Sequence, residues 1–129
     1  MIHPIRIKAG PEEYPLYLGP GLLTTAGSYL REQGLAGKVL VVTNPKVGAL
    51  YLARLQAGLE AAGFIVTTVT IPDGETYKRL DQLTNVYDAA VACRLERDSL
   101  VLALGGGVIG DLAGFAAATY LRGVKLVQV

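Results

Sequence analysis

Three consecutive glycines, Gly105-Gly106-Gly107, follow the apolar run Leu100-Val101-Leu102-Ala103-Leu104 and precede Val108-Ile109-Gly110-Asp111. Gly105, Gly107 and Gly110 match the G-x-G-x-x-G spacing of a strand-to-helix loop that holds a nucleotide diphosphate. Backbone without Cβ atoms lets phosphate oxygens come close to main-chain N–H groups. A helix that begins there adds its own unpaired N–H groups and the positive end of its dipole. The same glycines also make a plain tight turn, so the pattern alone leaves both readings open. Asp111, expected in the first helical turn, would complement the dipole or accept hydrogen bonds from a ribose hydroxyl. Glu75 and Lys78 lie three apart where a loop becomes a helix, as a surface ion pair or as ligand contacts. Asn44 follows an apolar run, where a helix cap and a ligand contact are compatible roles. Arg122 is expected at a helix end, where a cation is favourable for dipole reasons alone.

Other chemistries lack their residues. His3 is the single histidine and Cys93 the single cysteine, far apart in sequence. A metal site or a Ser-His-Asp triad built by this chain alone is therefore not expected. One cysteine also precludes an internal disulfide and suits a reducing compartment. The net charge of +1, with Lys and Arg scattered, argues against a nucleic-acid partner. No apolar run reaches the roughly 18 residues of a membrane span. The amino-terminal residues contain no signal-peptide core, so a cytoplasmic location is expected. A hydrophobic fraction of 51% is high for 129 residues, and part of it is expected to face a partner.

The elements that must position these residues follow from periodicity. Ile5-Arg6-Ile7-Lys8 alternates as a half-buried strand, and Tyr14 to Leu18 reads as a second, with Pro15 pushing it toward an edge. Leu22 to Gln33 is an amphipathic helix closed by Gly34. Lys38 to Thr43 is a β-branched run suited to a parallel strand buried on both faces. Asn44-Pro45 then caps and starts a helix through about Ala62. A strand over Phe64–Ile71, a helix over Lys78–Ala92, a strand over Leu100–Leu104, a helix over Leu112–Leu121 and a strand over Val124–Val129 complete the pattern. Strands alternating with helices predict an α/β, Rossmann-like doubly wound fold, its sheet mainly parallel with helices on both faces. The chain closes on a buried-type strand, so residues 1–129 are expected to be one domain separated from the rest of its protein.

Three stretches together resemble one family: Pro72-Asp73-Gly74-Glu75-Thr76-Tyr77-Lys78, Gly105 through Phe115, and Tyr120-Leu121-Arg122-Gly123. In that order and spacing they are similar to 3-dehydroquinate synthase, and the resemblance spans essentially the whole chain. It implies an NAD-binding domain that precedes a mostly helical domain carrying the metal ligands, the chain corresponding to the first alone. It implies conversion of 3-deoxy-D-arabino-heptulosonate 7-phosphate to 3-dehydroquinate and phosphate, in the shikimate pathway to the aromatic amino acids. NAD acts catalytically there, a divalent metal (zinc or cobalt) belongs to the full-length protein, and that protein is expected to be a homodimer.

The resemblance also assigns residues. Gly106, Gly107 and Val108 would lie against the NAD diphosphate, with Ile109 and Gly110 continuing that loop and Asp111 orienting the cofactor. Asp73, Gly74, Glu75, Thr76, Tyr77 and Lys78 would close around its adenosine part. Asn44 stands where some members carry an aspartate to the adenine ribose. Arg122 would reach across a dimer interface toward the neighbour's substrate phosphate, which suits a guanidinium fork. The usual Rossmann acid, roughly 20 residues past the glycines, would fall beyond the last residue, so the cofactor is expected to be held in a variant manner. No complete catalytic set is present. Other sugar-phosphate cyclases and metal-dependent polyol dehydrogenases share a glycine loop followed by an acid. For the chain alone, a non-catalytic nucleotide-binding module is the competing reading.

Overall fold

The run Lys38–Thr43 forms the central strand β3, and its aliphatic side chains point alternately to two cores. Leu40 and Val42 share one core with Val101 and Ala103 of strand β5 (Leu100–Leu104), while Val39 and Val41 share the other with Leu100, Leu102 and Leu104. Both faces being dry explains why these strands read as continuous apolar runs. The computed structural model describes residues 2–72 and 80–129.

A four-stranded, fully parallel sheet carries the order β4-β3-β5-β6, with β4 at Ile65–Thr70 and β6 at Lys125–Gln128. Helices α1 (Leu22–Glu32) and α2 (Pro45–Ala61) cover one face through Leu23, Ala26, Leu30, Leu55 and Leu59. Helices α3 (Leu80–Ala92) and α4 (Gly107–Thr119) cover the other through Leu83, Val86, Ala90, Ile109, Leu112, Ala113, Ala116 and Ala117. The doubly wound expectation holds. A separate antiparallel hairpin pairs β1 (Ile5–Ala9) with β2 (Glu12–Leu16). An apolar groove of about 750 Å³ runs between this hairpin, α1 and the edge strand β6.

Several boundaries differ from the sequence reading, each for a physical reason. Strand β2 begins at Glu12 and ends at Leu16, whereas Tyr14–Leu18 was expected. The two-residue turn Gly10-Pro11, with Gly10 at φ 64°, sets the register Ala9↔Glu12 and draws two exposed glutamates into the strand. Helix α4 starts at Gly107, earlier than a helix with Asp111 in its first turn, because burial of Ile109 and Leu112 outweighs the low helix propensity of glycine. Asp111 therefore stands in the second turn, and the first turn has no acid. Helix α4 ends at Thr119, ahead of the expected Leu121, and Tyr120–Arg122 form a 3-10 turn. Arg122 accordingly does not sit in the last turn of α4. The strands expected over Phe64–Ile71 and Val124–Val129 are each trimmed by a residue at both ends. The expected start of α3 at Lys78 lies outside the described residues.

Candidate functional site

The strand order places a topological switch point between β3 and β5. The chain leaves β3 through α2 toward one edge, to β4, and leaves β5 through α4 toward the other, to β6. The crevice beyond the carboxyl ends of two such strands is where open α/β sheets bind ligands. Thr43 and Leu104 are register partners, so Asn44 and Gly105 emerge from the sheet side by side. The structure thus brings together Asn44 and the glycine loop that begins at Gly105, two features that the sequence reading assigned to one ligand.

Each glycine of the loop has its own reason. A Cβ on Gly105 would lie 3.0 Å from the Cβ of Ile109, so close packing inside the protein accounts for that glycine. Among the described residues, a Cβ on Gly106 or Gly107 would meet nothing within 4 Å. Gly106 has φ −84°, ψ −160°, extended backbone open to any residue, and Gly107 is helical. Neither the described neighbours nor the backbone requires glycine at these two positions. What a side chain there would obstruct is approach from outside. A Cβ on Gly110 would lie 3.7 Å from Nε2 of Gln128, an ordinary contact.

Gly106 is the N-cap of α4 and supplies no side-chain oxygen. The first helical hydrogen bond, Gly110 N–H to the Gly106 carbonyl at 2.9 Å, leaves the N–H groups ahead of it without helical partners. An uncapped helix start with no acid in its first turn, bordered by two exposed glycines, fits a diphosphate. The contrast with α2 is direct. There Oδ1 of Asn44 accepts the Val47 N–H at 2.8 Å, and Pro45 occupies the first helical position.

Arg122 is not brought to this loop. Helix α4 runs 13 residues away from it, about 20 Å at 1.5 Å per residue, before the turn that holds Arg122. In that turn Leu121 (φ 48°) and Arg122 (φ 66°) are both left-handed, and Gly123 follows at φ 111°. The turn is anchored from α3: Tyr87 hydrogen-bonds Thr119 and its ring stacks on Tyr120 at 6.2 Å. Two consecutive non-glycine residues in the left-handed region are costly and persist only when their surroundings hold them. Asp73, Gly74, Glu75, Thr76, Tyr77 and Lys78 lie outside the described residues. Among the described residues no three His, Cys, Asp or Glu groups gather as metal ligands, and no helix is long and apolar enough to cross a membrane.

One residue of the site escaped the sequence reading. Thr43 is completely buried, and its hydroxyl donates to the Leu104 carbonyl at 2.8 Å, across the switch point. The available signal was a hydroxyl closing the otherwise aliphatic run Val39-Leu40-Val41-Val42.

Comparison with known proteins decides the family. The family model described as 3-dehydroquinate synthase N-terminal matches residues 68–129. A 3-dehydroquinate synthase from Desulforamulus reducens is 48% identical over 125 residues, covering 97% of this chain and 35% of its own length. The chain belongs to the 3-dehydroquinate synthase family. It spans about a third of the length of the curated relatives it matches. A 2-epi-5-epi-valiolone synthase from Streptomyces hygroscopicus, solved with NAD+ and Zn2+ bound, superposes with a TM-score of 0.76 at 30% identity, over 96% of this chain and 34% of that one. A 2-deoxy-scyllo-inosose synthase, complexed with carbaglucose-6-phosphate, NAD+ and Co2+, superposes with a TM-score of 0.86 at 24% identity. It covers 98% of this chain and 35% of its own, a likeness of fold. The dehydroquinate synthase family thus shares its α/β domain with other sugar-phosphate cyclases.

Proposed function

We propose that this chain is the NAD-holding part of an enzyme that converts 3-deoxy-D-arabino-heptulosonate 7-phosphate to 3-dehydroquinate and phosphate. The observation that carries the reading is the uncapped start of α4 at the β3/β5 switch point, where a Cβ on Gly106 or Gly107 would meet none of the described residues within 4 Å. Main-chain N–H groups of Gly107 and Val108 would bind the diphosphate, with Ile109 and Gly110 fixing the loop behind them. Asp111, one turn on, would orient the cofactor through a ribose hydroxyl, and Asn44 would reach the adenine ribose while capping α2. Residues 73–78 would complete the adenosine side. When bound, NAD supplies a hydride acceptor for a substrate hydroxyl and returns that hydride later, so it is not consumed.

The divalent metal and the groups that handle the substrate are assigned to the longer protein. Among the described residues no three His, Cys, Asp or Glu side chains could hold a metal ion. Arg122 would serve the substrate phosphate of a neighbouring subunit, because α4 carries it away from the loop on its own. A homodimer in the cytoplasm is the corresponding assembly and location.

Two measurements test this. Calorimetric titration of the 129-residue chain with NAD is expected to give one site, weaker than in a full-length relative. No saturable heat at millimolar NAD would overturn it. In a full-length protein containing this segment, phosphate release is expected from the heptulosonate phosphate and not from glucose 6-phosphate or glycerol. The chain alone is expected to give no turnover, and formation of 3-dehydroquinate by it would contradict the division of labour.

A further inference from the structure

We infer that Thr43 is a positioning residue for the glycine loop: its buried hydroxyl fixes the Leu104 carbonyl and, through it, the path of Gly105 into α4. The inference rests on the reading of that loop as a diphosphate site and adds to it a residue that touches no ligand. Burying a hydroxyl among aliphatic side chains is unfavourable unless it is bonded. Among the described residues only two polar side chains are buried, Thr43 and Ser99. The hydroxyl of Ser99 accepts the Glu96 N–H at 2.9 Å and shapes the connector ahead of β5. Thr43 spans a different gap, between the two strands whose ends make the crevice.

The location determines what this bond does. Pairing of β5 with β6 ends at Ala103↔Gln128, so Leu104 is the last residue of β5 and lies beyond that ladder. Its carbonyl belongs to the peptide that links it to Gly105. Gly105 and Gly106 have no side chains with which to anchor themselves, and the Gly106 cap is open. Thr43 Oγ1 to the Leu104 carbonyl, at 2.8 Å, is a fixed point on the strand side of the loop, and the contact between Gly105 and Ile109 fixes the helix side. Thr43 is itself held. Its carbonyl accepts the Ile71 N–H at 2.8 Å, and its methyl would lie 3.3 Å from a Cβ on Gly48, so α2 packs tightly over it. One residue thereby couples the strand end that leads to Asn44 with the one that leads to Gly105. A valine would fill the same space without that link.

The test separates hydroxyl from shape. Thr43→Val keeps the volume and loses the donor, whereas Thr43→Ser keeps the donor and loses the methyl. Each is made in the 129-residue chain and followed by thermal melting, NAD calorimetry and the amide resonances of Gly105, Gly106 and Gly107. Thr43→Val is expected to shift those three amides and weaken NAD binding about tenfold, the scale of one hydrogen bond. Thr43→Ser is expected to bind NAD within twofold of the parent chain even where its melting temperature falls further. NAD affinity in folded Thr43→Val equal to the parent would overturn the inference, whatever the melting temperature. Should Thr43→Val not fold, Thr43→Ala against Thr43→Ser makes the same comparison of the hydroxyl. If the parent chain binds no NAD, the diphosphate reading fails. The amides then decide Thr43 separately: unmoved glycines overturn its role, and displaced ones support it.

Discussion

Asn44 combines a structural and a proposed cofactor role in one side chain, and substitution separates them. Its Oδ1 accepts the Val47 N–H at the start of α2, a bond whose loss by Asn44→Ala is expected to cost about 1 kcal/mol. Asn44→Asp retains the acceptor and adds a charge that suits a helix N-terminus. Thermal melting is therefore expected to rank Asp at or above Asn, and both above Ala. If Asn44 also reaches a ribose, NAD affinity follows the same order, since aspartate accepts from a hydroxyl equally well. An Ala variant that melts lower but binds NAD as tightly as the parent would leave Asn44 a cap only. The cap was legible in the sequence because Asn-Pro after a β-branched run has one local meaning. Thr43 was not, because its role depends on a partner 61 positions away that only the register supplies.

At the scale of elements, glycines do opposite work in different helices. Helices α1 and α2 cross at Gly27 and Gly58: a Cβ on Gly27 would lie 2.6 Å from the Gly58 carbonyl, and one on Gly58 2.6 Å from the Thr24 carbonyl. Gly27→Ala, which would favour an isolated helix by about 1 kcal/mol, is expected to destabilise the folded chain by about 1–3 kcal/mol through overpacking. Urea denaturation measures it, and a more stable variant would show that the crossing yields. The left-handed turn gives the reverse sign. Leu121→Gly relieves a conformation that costs about 1 kcal/mol in a residue with a Cβ, and Leu121 is an exposed side chain. Its midpoint is expected to hold or rise, where leucine-to-glycine inside a helix would lower it. The central strands, α2 and the doubly wound class were readable because dry strands are aliphatic throughout and their connections carry caps and glycines. The start of α4 and the limits of β2 were not. The first is set by burial against β5 and α3, the second by hairpin register, and neither is a local property.

At the scale of the whole molecule, the described residues form a four-stranded parallel sheet with a crevice at its switch point, in a chain that spans about a third of the length of its relatives. The glycine motif was visible in the sequence, but it could not distinguish a tight turn from a ligand cradle. The structure divides the motif: Gly105 serves packing, while a Cβ on Gly106 or Gly107 would meet none of the described residues. That division yields the most direct test of the central claim. Gly106→Ala and Gly107→Ala are compatible with the backbone and clash with no described neighbour; Gly107→Ala is expected to leave stability unchanged or raise it by about 0.4–1 kcal/mol, and Gly106→Ala, at the N-cap, to lower it by at most about 1 kcal/mol. The same methyl groups stand where the diphosphate must approach, and calorimetry is expected to show NAD binding weakened at least about tenfold, a difference of about 1.4 kcal/mol. Folded variants that bind NAD poorly are the predicted result; folded variants that bind NAD as the parent does would contradict the account.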